Sequence, residues 1–109
     1  RMDASWLKSK RVAYWGDIDT WGFSILSDVR SKLPSVKALM MDPDTLNCHQ
    51  DRMVVEPKPF EHLPKYLTDS EAQIFSDLKI GNYLGSRLEQ ERLSPDYIRT
   101  RLEAWVMGR

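Results

Sequence analysis

Two short apolar runs, 11–15 and 36–41, flank a segment of helical periodicity, and this arrangement constrains the fold more than any other feature of the chain. Arg11 to Trp15 is rich in Val, Tyr and Trp, residue types that suit a buried strand. Between Gly22 and Leu33 the apolar residues Phe23, Ile25, Leu26, Val29 and Leu33 recur at helical spacing, and Pro34 closes the segment. Val36 to Met41 is a second mostly apolar run of strand length, ending at Asp42-Pro43. A strand, a helix of about three turns and another strand form a βαβ unit, whose strands are nearly always parallel with a right-handed crossover. The expected fold class is therefore α/β, with a parallel βαβ sheet core flanked by helices.

Open parallel sheets bind ligands outside the carboxyl ends of their strands. Asp17, Asp19 and Asp42 all sit at such ends, so this topology brings three acids towards one another. If the backbone stays extended across Ile18, the carboxylates of Asp17 and Asp19 point to one side. Carboxylates so placed suit hard divalent cations, which prefer oxygen ligands and are often shared with substrate phosphates. Asp42 has a commoner reading, because Asp followed by Pro is the usual pairing of N-cap and first helical residue, here opening a short helix towards His49. His49 and His62 lack a Cys or second His at zinc spacing and read as packing or surface residues.

Pro57, Pro59 and Pro64 make 51–66 an irregular loop, with an edge strand expected near Val54 and Val55. Thr68-Asp69-Ser70-Glu71 is a capping box, and the helix it opens carries Ile74, Phe75 and Leu78 before stopping near Gly81-Asn82. Ser86-Arg87-Leu88-Glu89 repeats that signature and predicts a charged turn through Glu91 and Arg92. Ser94-Pro95 starts a last helix with Ile98, Leu102, Trp105 and Val106 on one face and Gly108 at its end. These three helices are expected to cover the sheet, and residues 1–10 read as the tail of a helix begun upstream.

A chain of 109 residues makes a single domain spanning 1–109, and 41% hydrophobic with 29% charged residues places it in the soluble globular class. Sixteen basic and sixteen acidic residues cancel, so DNA binding would need a local patch or other parts of a larger protein. Lys8, Lys10, Arg11, Arg30 and Lys32 are candidates for phosphate contact, although solvated surface charge is the more frequent explanation. No apolar run approaches the roughly 20 residues needed to cross a bilayer, so no membrane is expected. A lone Cys48, which cannot form an internal disulfide, fits a reducing, cytoplasmic location.

Three ordered stretches carry a more specific signal: Tyr14-Trp15-Gly16-Asp17-Ile18-Asp19-Thr20 with Gly22, Leu39-Met40-Met41-Asp42 with Thr45-Leu46, and Arg87-Leu88-Glu89-Gln90-Glu91-Arg92. Together they resemble the C-terminal domain of JetD, the nuclease subunit of the bacterial Wadjet anti-plasmid system. The resemblance runs from about Val12 to the end of the chain. It implies a Toprim-like fold similar to the A subunit of type IIB topoisomerases, and Mg²⁺- or Mn²⁺-dependent cleavage of plasmid DNA. It also implies condensin-like partner subunits and is compatible with a homodimer. The family's acidic pair maps onto Asp17 and Asp19, as metal ligands and catalytic residues, with Asp42 and Glu89 as further candidate ligands. In Toprim domains generally a Glu on an earlier strand completes the site, so the chain is expected to begin after that strand and to be inactive as an isolated fragment. Trp21 stands where the family pattern has His.

Two other readings are weighed beside this one. Asp17-Ile18-Asp19-Thr20 loosely fits the haloacid-dehalogenase phosphatase motif, with Asp17 as nucleophile and Asp19 as general acid and base. A non-catalytic domain that docks partner subunits or DNA would instead use Trp6, Trp15, Trp21 and Trp105 as anchors, where buried core aromatics are the simpler account.

Overall fold

The computed structural model describes residues 10–108; the expected helical tail, Trp6 and Lys8 lie outside the described residues. Strand β1 (Ala13–Tyr14) pairs in parallel with β2 (Lys37–Ala38), Ala13 opposite Lys37 and Tyr14 opposite Ala38. The ladder continues one bond beyond each end, from the Lys37 N–H to the Val12 carbonyl (3.1 Å) and from the Leu39 N–H to the Tyr14 carbonyl (2.8 Å). Helix α1 (Thr20–Lys32) makes the crossover, so the expected parallel βαβ unit is present.

Both strands are shorter than the apolar runs that predict them. At Met40 the backbone turns left-handed, with φ of 55°, and ends the extended run of β2. That conformation costs about 1–2 kcal/mol for a residue with a Cβ. The turn carries Met40 and Met41 into the core at 0% and 1% exposure, and burying each side chain returns about 1.5–3 kcal/mol.

Helix α1 begins two residues before Gly22 because Asp19 caps it. Its buried stripe holds Phe23, Leu26 and Arg30, while Ile25 faces outward. Helix α2 (Pro43–Cys48) opens at the expected Asp42 cap, and a 3-10 turn follows at Gln50–Arg52. The capping box of Thr68 and Glu71 opens α3 (Asp69–Ile80) as expected, and Gly81 ends it at φ 80°. Ile74, Phe75 and Leu78 of α3 join Phe23 and Leu26 of α1 in one core. Between these helices the guanidinium of Arg30 pairs with the Glu71 carboxylate, and its Nε donates to the Val36 carbonyl at 3.0 Å. Arg30 is thus an internal tie and not the phosphate-facing residue that its charge suggests.

Two expectations for the C-terminal third are corrected. Ser86 to Glu89 does not open a helical turn: Arg87 and Leu88 are extended, bridging Val54 and Ile18 in antiparallel fashion. Leu88 is only 1% exposed, and extended backbone sends it inward while Arg87 points the other way. The helical capping pattern loses to this pairing, while the charged turn expected through Glu91 and Arg92 is present as a 3-10 turn at Gln90–Arg92. Val54 supplies the edge pairing expected near that position as a single bridge. Helix α4 (Pro95–Val106) buries no residue completely. Ile98 and Trp105 pack against the core, but Leu102 and Val106 of the same predicted face are exposed. The Arg11 guanidinium stacks 4.5 Å over the Trp105 ring and bonds its carbonyl, so this candidate phosphate contact instead ties the approach to β1 onto α4. Among the described residues no helix is long and apolar enough to cross a membrane.

Candidate acidic cleft

The acidic stretch is held extended by a second segment laid alongside it. Ile18 exchanges two backbone hydrogen bonds of 2.9 Å with Leu88, and both side chains enter the core. Alternation then puts Asp17 and Asp19 together on the other side, as expected from their spacing. They line an open cleft of about 490 Å³ with Trp15, Trp21, Arg87, Gln90 and Glu91. The lining includes neither Asp42 nor Glu89.

Each carboxylate of the pair is already committed in part. Asp17 Oδ1 accepts from the Gln90 N–H at 2.8 Å, satisfying a donor at the start of the 3-10 turn. Asp19 Oδ1 accepts from the Gly22 N–H at 2.5 Å and so caps α1. Asp19 Oδ2 accepts from Arg87 Nε at 2.7 Å. Asp19 is 3% exposed, and burial raises its pKa above the usual carboxylate value. The Gly22 and Arg87 hydrogen bonds oppose that rise, and the neighbouring charge of Glu56 adds to it.

Glu56 and Arg87 are the residues that sequence reasoning passed over as part of the site. Glu56 lies in the proline-rich loop, where nothing in the local sequence distinguishes it from surface charge. It is 3% exposed, and its carboxylate accepts from the Thr20 hydroxyl at 2.6 Å and from the Thr20 and Trp21 amides at 3.3 Å. A carboxylate there answers both the orphan amides of the first helical turn and the positive end of the helix dipole. Arg87 Nη2 lies 3.8 Å from Glu56 Oε2, so one guanidinium sits between two buried carboxylates. Arg87 belongs to the charged 87–92 motif, and only the pairing of Leu88 with Ile18 brings it to Asp19.

Asp42 sits in a different network. Its Oδ1 accepts from the Thr45 amide at 3.0 Å and the Thr45 hydroxyl at 2.6 Å, and Arg101 of α4 forms an ion pair with its other oxygen. Burial opposes its ionisation, yet the hydrogen bonds from Arg101 and Thr45 outweigh it and hold the pKa below the usual value. Tyr97 joins this network through its hydroxyl, which donates to Asp44 at 2.6 Å. Burial first and that bond second push its pKa up to about 12. His49 accepts from the Ser94 N–H at Nε2 (3.1 Å), which leaves Nδ1 to donate to the Thr45 carbonyl (2.8 Å). Its role is packing and hydrogen bonding between α2 and α4, and His62 is exposed.

Trp21, at the position where a His was expected, leaves no imidazole in the cleft. Its indole Nε1 donates to the Lys58 carbonyl at 2.7 Å, and its ring meets Phe60 edge-on at 4.8 Å. The residue thereby pins the proline-rich loop beside the cleft.

A hard cation wants carboxylate oxygens, and Asp17, Asp19 and Glu91 offer that donor type on one cleft. Among the described residues no group of three or more His, Cys, Asp or Glu is arranged to hold a metal ion. Asp17 Oδ2 carries no hydrogen bond among the described residues, whereas Asp19 is shared with α1 and Arg87. The buried Trp15 Nε1, which has no hydrogen-bond partner among the described residues, is a donor and offers a cation nothing. The donor chemistry fits a cation on Asp17, with Asp19 joining when Arg87 moves aside.

A search of the curated proteins finds no match. The family model described as Wadjet protein JetD, C-terminal, matches residues 1–102, which include Asp17, Asp19 and the whole 86–90 segment that holds them. The chain therefore belongs to the C-terminal family of the Wadjet protein JetD.

Proposed function

We propose that this chain carries the acidic half-site of a metal-dependent DNA endonuclease acting in Wadjet plasmid defence, on a Toprim-like fold. The observation that carries the reading is the placement of Asp17 and Asp19 on one open cleft beyond the carboxyl end of β1, clamped by the 86–90 segment. Asp17 and Asp19 would hold Mg²⁺ or Mn²⁺, with Glu91 facing the same cleft and a further ligand from outside the described residues. The chemistry an ion bound there would supply is polarisation of a phosphodiester oxygen and activation of water at neutral pH. The chain's own contribution is orientation: the Gln90 amide fixes Asp17, and the Gly22 amide fixes Asp19. Asp42, engaged by Arg101, is assigned a structural role in this reading, and Glu89, which does not line the cleft and makes no side-chain cap of the 3-10 turn that follows it, is not counted among the ligands. Plasmid DNA is the substrate, and condensin-like subunits are the partners that present it.

Plasmid cleavage by the full-length protein in Mg²⁺ or Mn²⁺ tests the proposal. Asp17→Ala is expected to lower the cutting rate by about 10²-fold or more, the usual scale for removing one group that stabilises a transition state. Undiminished cutting by both Asp17→Ala and Asp19→Ala rejects it.

A second reading, a non-catalytic domain that docks partners or DNA, draws on the ion pair between Arg87 and Asp19 and on the exposed Leu102, Val106 and Met107 of the α4 end. It predicts that Asp17→Ala leaves cleavage by the assembled complex unchanged while substitutions on α4 weaken assembly. The phosphatase reading gains nothing from the geometry, since no lysine among the described residues lines the cleft.

A further inference from the structure

We infer that Arg87 is the phosphate-binding residue of the acidic cleft, parked on Asp19 until a divalent cation takes that carboxylate. The inference rests on the metal-dependent reading above and adds to it a residue with two alternating partners.

Among the described residues Arg87 is the one basic side chain lining the cleft, where Asp17, Asp19 and Glu91 would otherwise repel an incoming phosphodiester. Its guanidinium makes one close bond, Nε to Asp19 Oδ2 at 2.7 Å; Nη2 stands 3.8 Å from Glu56, beyond hydrogen-bond reach. The forked end that suits a phosphate is thus unspent, and the side chain is 28% exposed. Its backbone is fixed separately: Arg87 and Val54 exchange two hydrogen bonds of 2.9 Å. Swinging the guanidinium therefore needs side-chain rotation and no loss of pairing.

Asp19 explains why the swing would be coupled to metal. Its Oδ1 is spent on the Gly22 amide, so Oδ2 is the oxygen open to exchange, and Arg87 holds it. A cation and a guanidinium on one oxygen repel each other, so arrival of the first releases the second. By linkage, metal then tightens phosphate binding and phosphate tightens metal binding by the same factor.

The test uses the intact protein with two probes: Mn²⁺ followed by electron paramagnetic resonance, and a short labelled DNA duplex followed by anisotropy in Ca²⁺. Wild type is expected to bind the duplex more tightly when the cation is present. Arg87→Gln is expected to bind Mn²⁺ roughly tenfold more tightly and the duplex roughly tenfold more weakly, the scale of one charged hydrogen bond, with the cation no longer helping. Circular dichroism follows folding, because the substitution leaves Asp19 and Glu56 without their counter-charge. If Arg87→Gln fails to fold, Arg87→Lys, which keeps the charge and loses the fork, is expected to show both shifts in reduced size. On wild type, the Arg87 Nε–H resonance is expected to move when Mg²⁺ is added. A resonance that stays put at saturating Mg²⁺, or a folded Arg87 variant with unaltered Mn²⁺ and duplex affinities, overturns the inference while leaving the nuclease reading intact. Absence of Mn²⁺ binding in wild type and variants alike removes both.

Discussion

Arg30 shows how one residue can be misjudged by its charge and recovered from its position. It lies four residues after Leu26 and seven after Phe23, on the stripe that α1 buries. Both partners of its pair with Glu71 have side chains about 10% exposed, and Arg30 also donates to the carbonyls of Val36 and Tyr66. Removing one partner of such a pair strands a buried charge and costs about 3–5 kcal/mol, whereas replacing both by apolar groups of similar shape is often neutral. Arg30→Met is therefore expected to lower the urea midpoint sharply, and Arg30→Met with Glu71→Leu to recover part of that loss. Equal midpoints for wild type and Arg30→Met would show that the pair holds nothing. The stripe was legible in the sequence, and so was the Thr68–Glu71 capping box; that Glu71 also faces Arg30 was not, because the two are brought together only when α1 and α3 pack. The same limit applies to Glu56, whose partners Thr20 and Trp21 are some 35 residues away in the chain.

At the level of elements, the cleft depends on how closely α1 approaches the loop before it. A Cβ at position 22 would lie on the Asp17 carbonyl oxygen and crowd Asp19 Oδ1. Glycine there lets the chain reverse from the acidic loop into the first turn of α1. Gly22→Ala is expected to cost about 1–3 kcal/mol, as overpacking does, and to displace Asp17. Loss of stability by calorimetry, with loss of Mn²⁺ binding in proportion greater than for a remote α1 substitution such as Asp28→Ala, would show it. The other wall is the 86–90 segment, anchored by Leu88 in the core. Leu88→Ala is expected to cost about 2–5 kcal/mol and to speed hydrogen exchange at Gln90, whose amide is held by Asp17. Unchanged protection of that amide would mean that the segment is held elsewhere. The acidic loop was read correctly as an extended Asp-x-Asp because period-two alternation is local. The 86–90 wall was misread because the same four residues satisfy a capping box, and only a distant partner strand decides between helix and extension.

At the scale of the molecule, ion pairs join segments distant in sequence: Arg30 with Glu71 fastens α1 to α3, Arg101 with Asp42 fastens α4 to the start of α2, and Arg87 with Asp19 fastens the 86–90 segment to the start of α1. Burial alone would raise the carboxylates of Glu71 and Asp42, but hydrogen bonds from Arg30 and Thr68 hold Glu71 below its ordinary 4.5, and those from Arg101 and Thr45 hold Asp42 below 3.8. A carboxylate with a depressed folded pKa contributes stability that is present above its unfolded value and lost as pH falls through the folded one. Asp19 has the opposite sign. Burial raises its folded pKa above 3.8, so its contribution is present below that value and lost as pH rises through the folded pKa. Urea midpoints measured from about pH 7 down to about pH 3 are therefore expected to fall on the acid side as Glu71 and Asp42 take up protons. Glu71→Gln and Asp42→Asn should flatten that acid limb. Asp19→Asn keeps an N-cap oxygen for Gly22, and its stability relative to wild type should improve as pH rises, because wild-type Asp19 must then be ionised while buried. If Asp19→Asn instead loses ground to wild type with rising pH, the Arg87 bond outweighs burial at this carboxylate. The hold of Arg87 on the cleft would then be stronger than the exchange with metal allows.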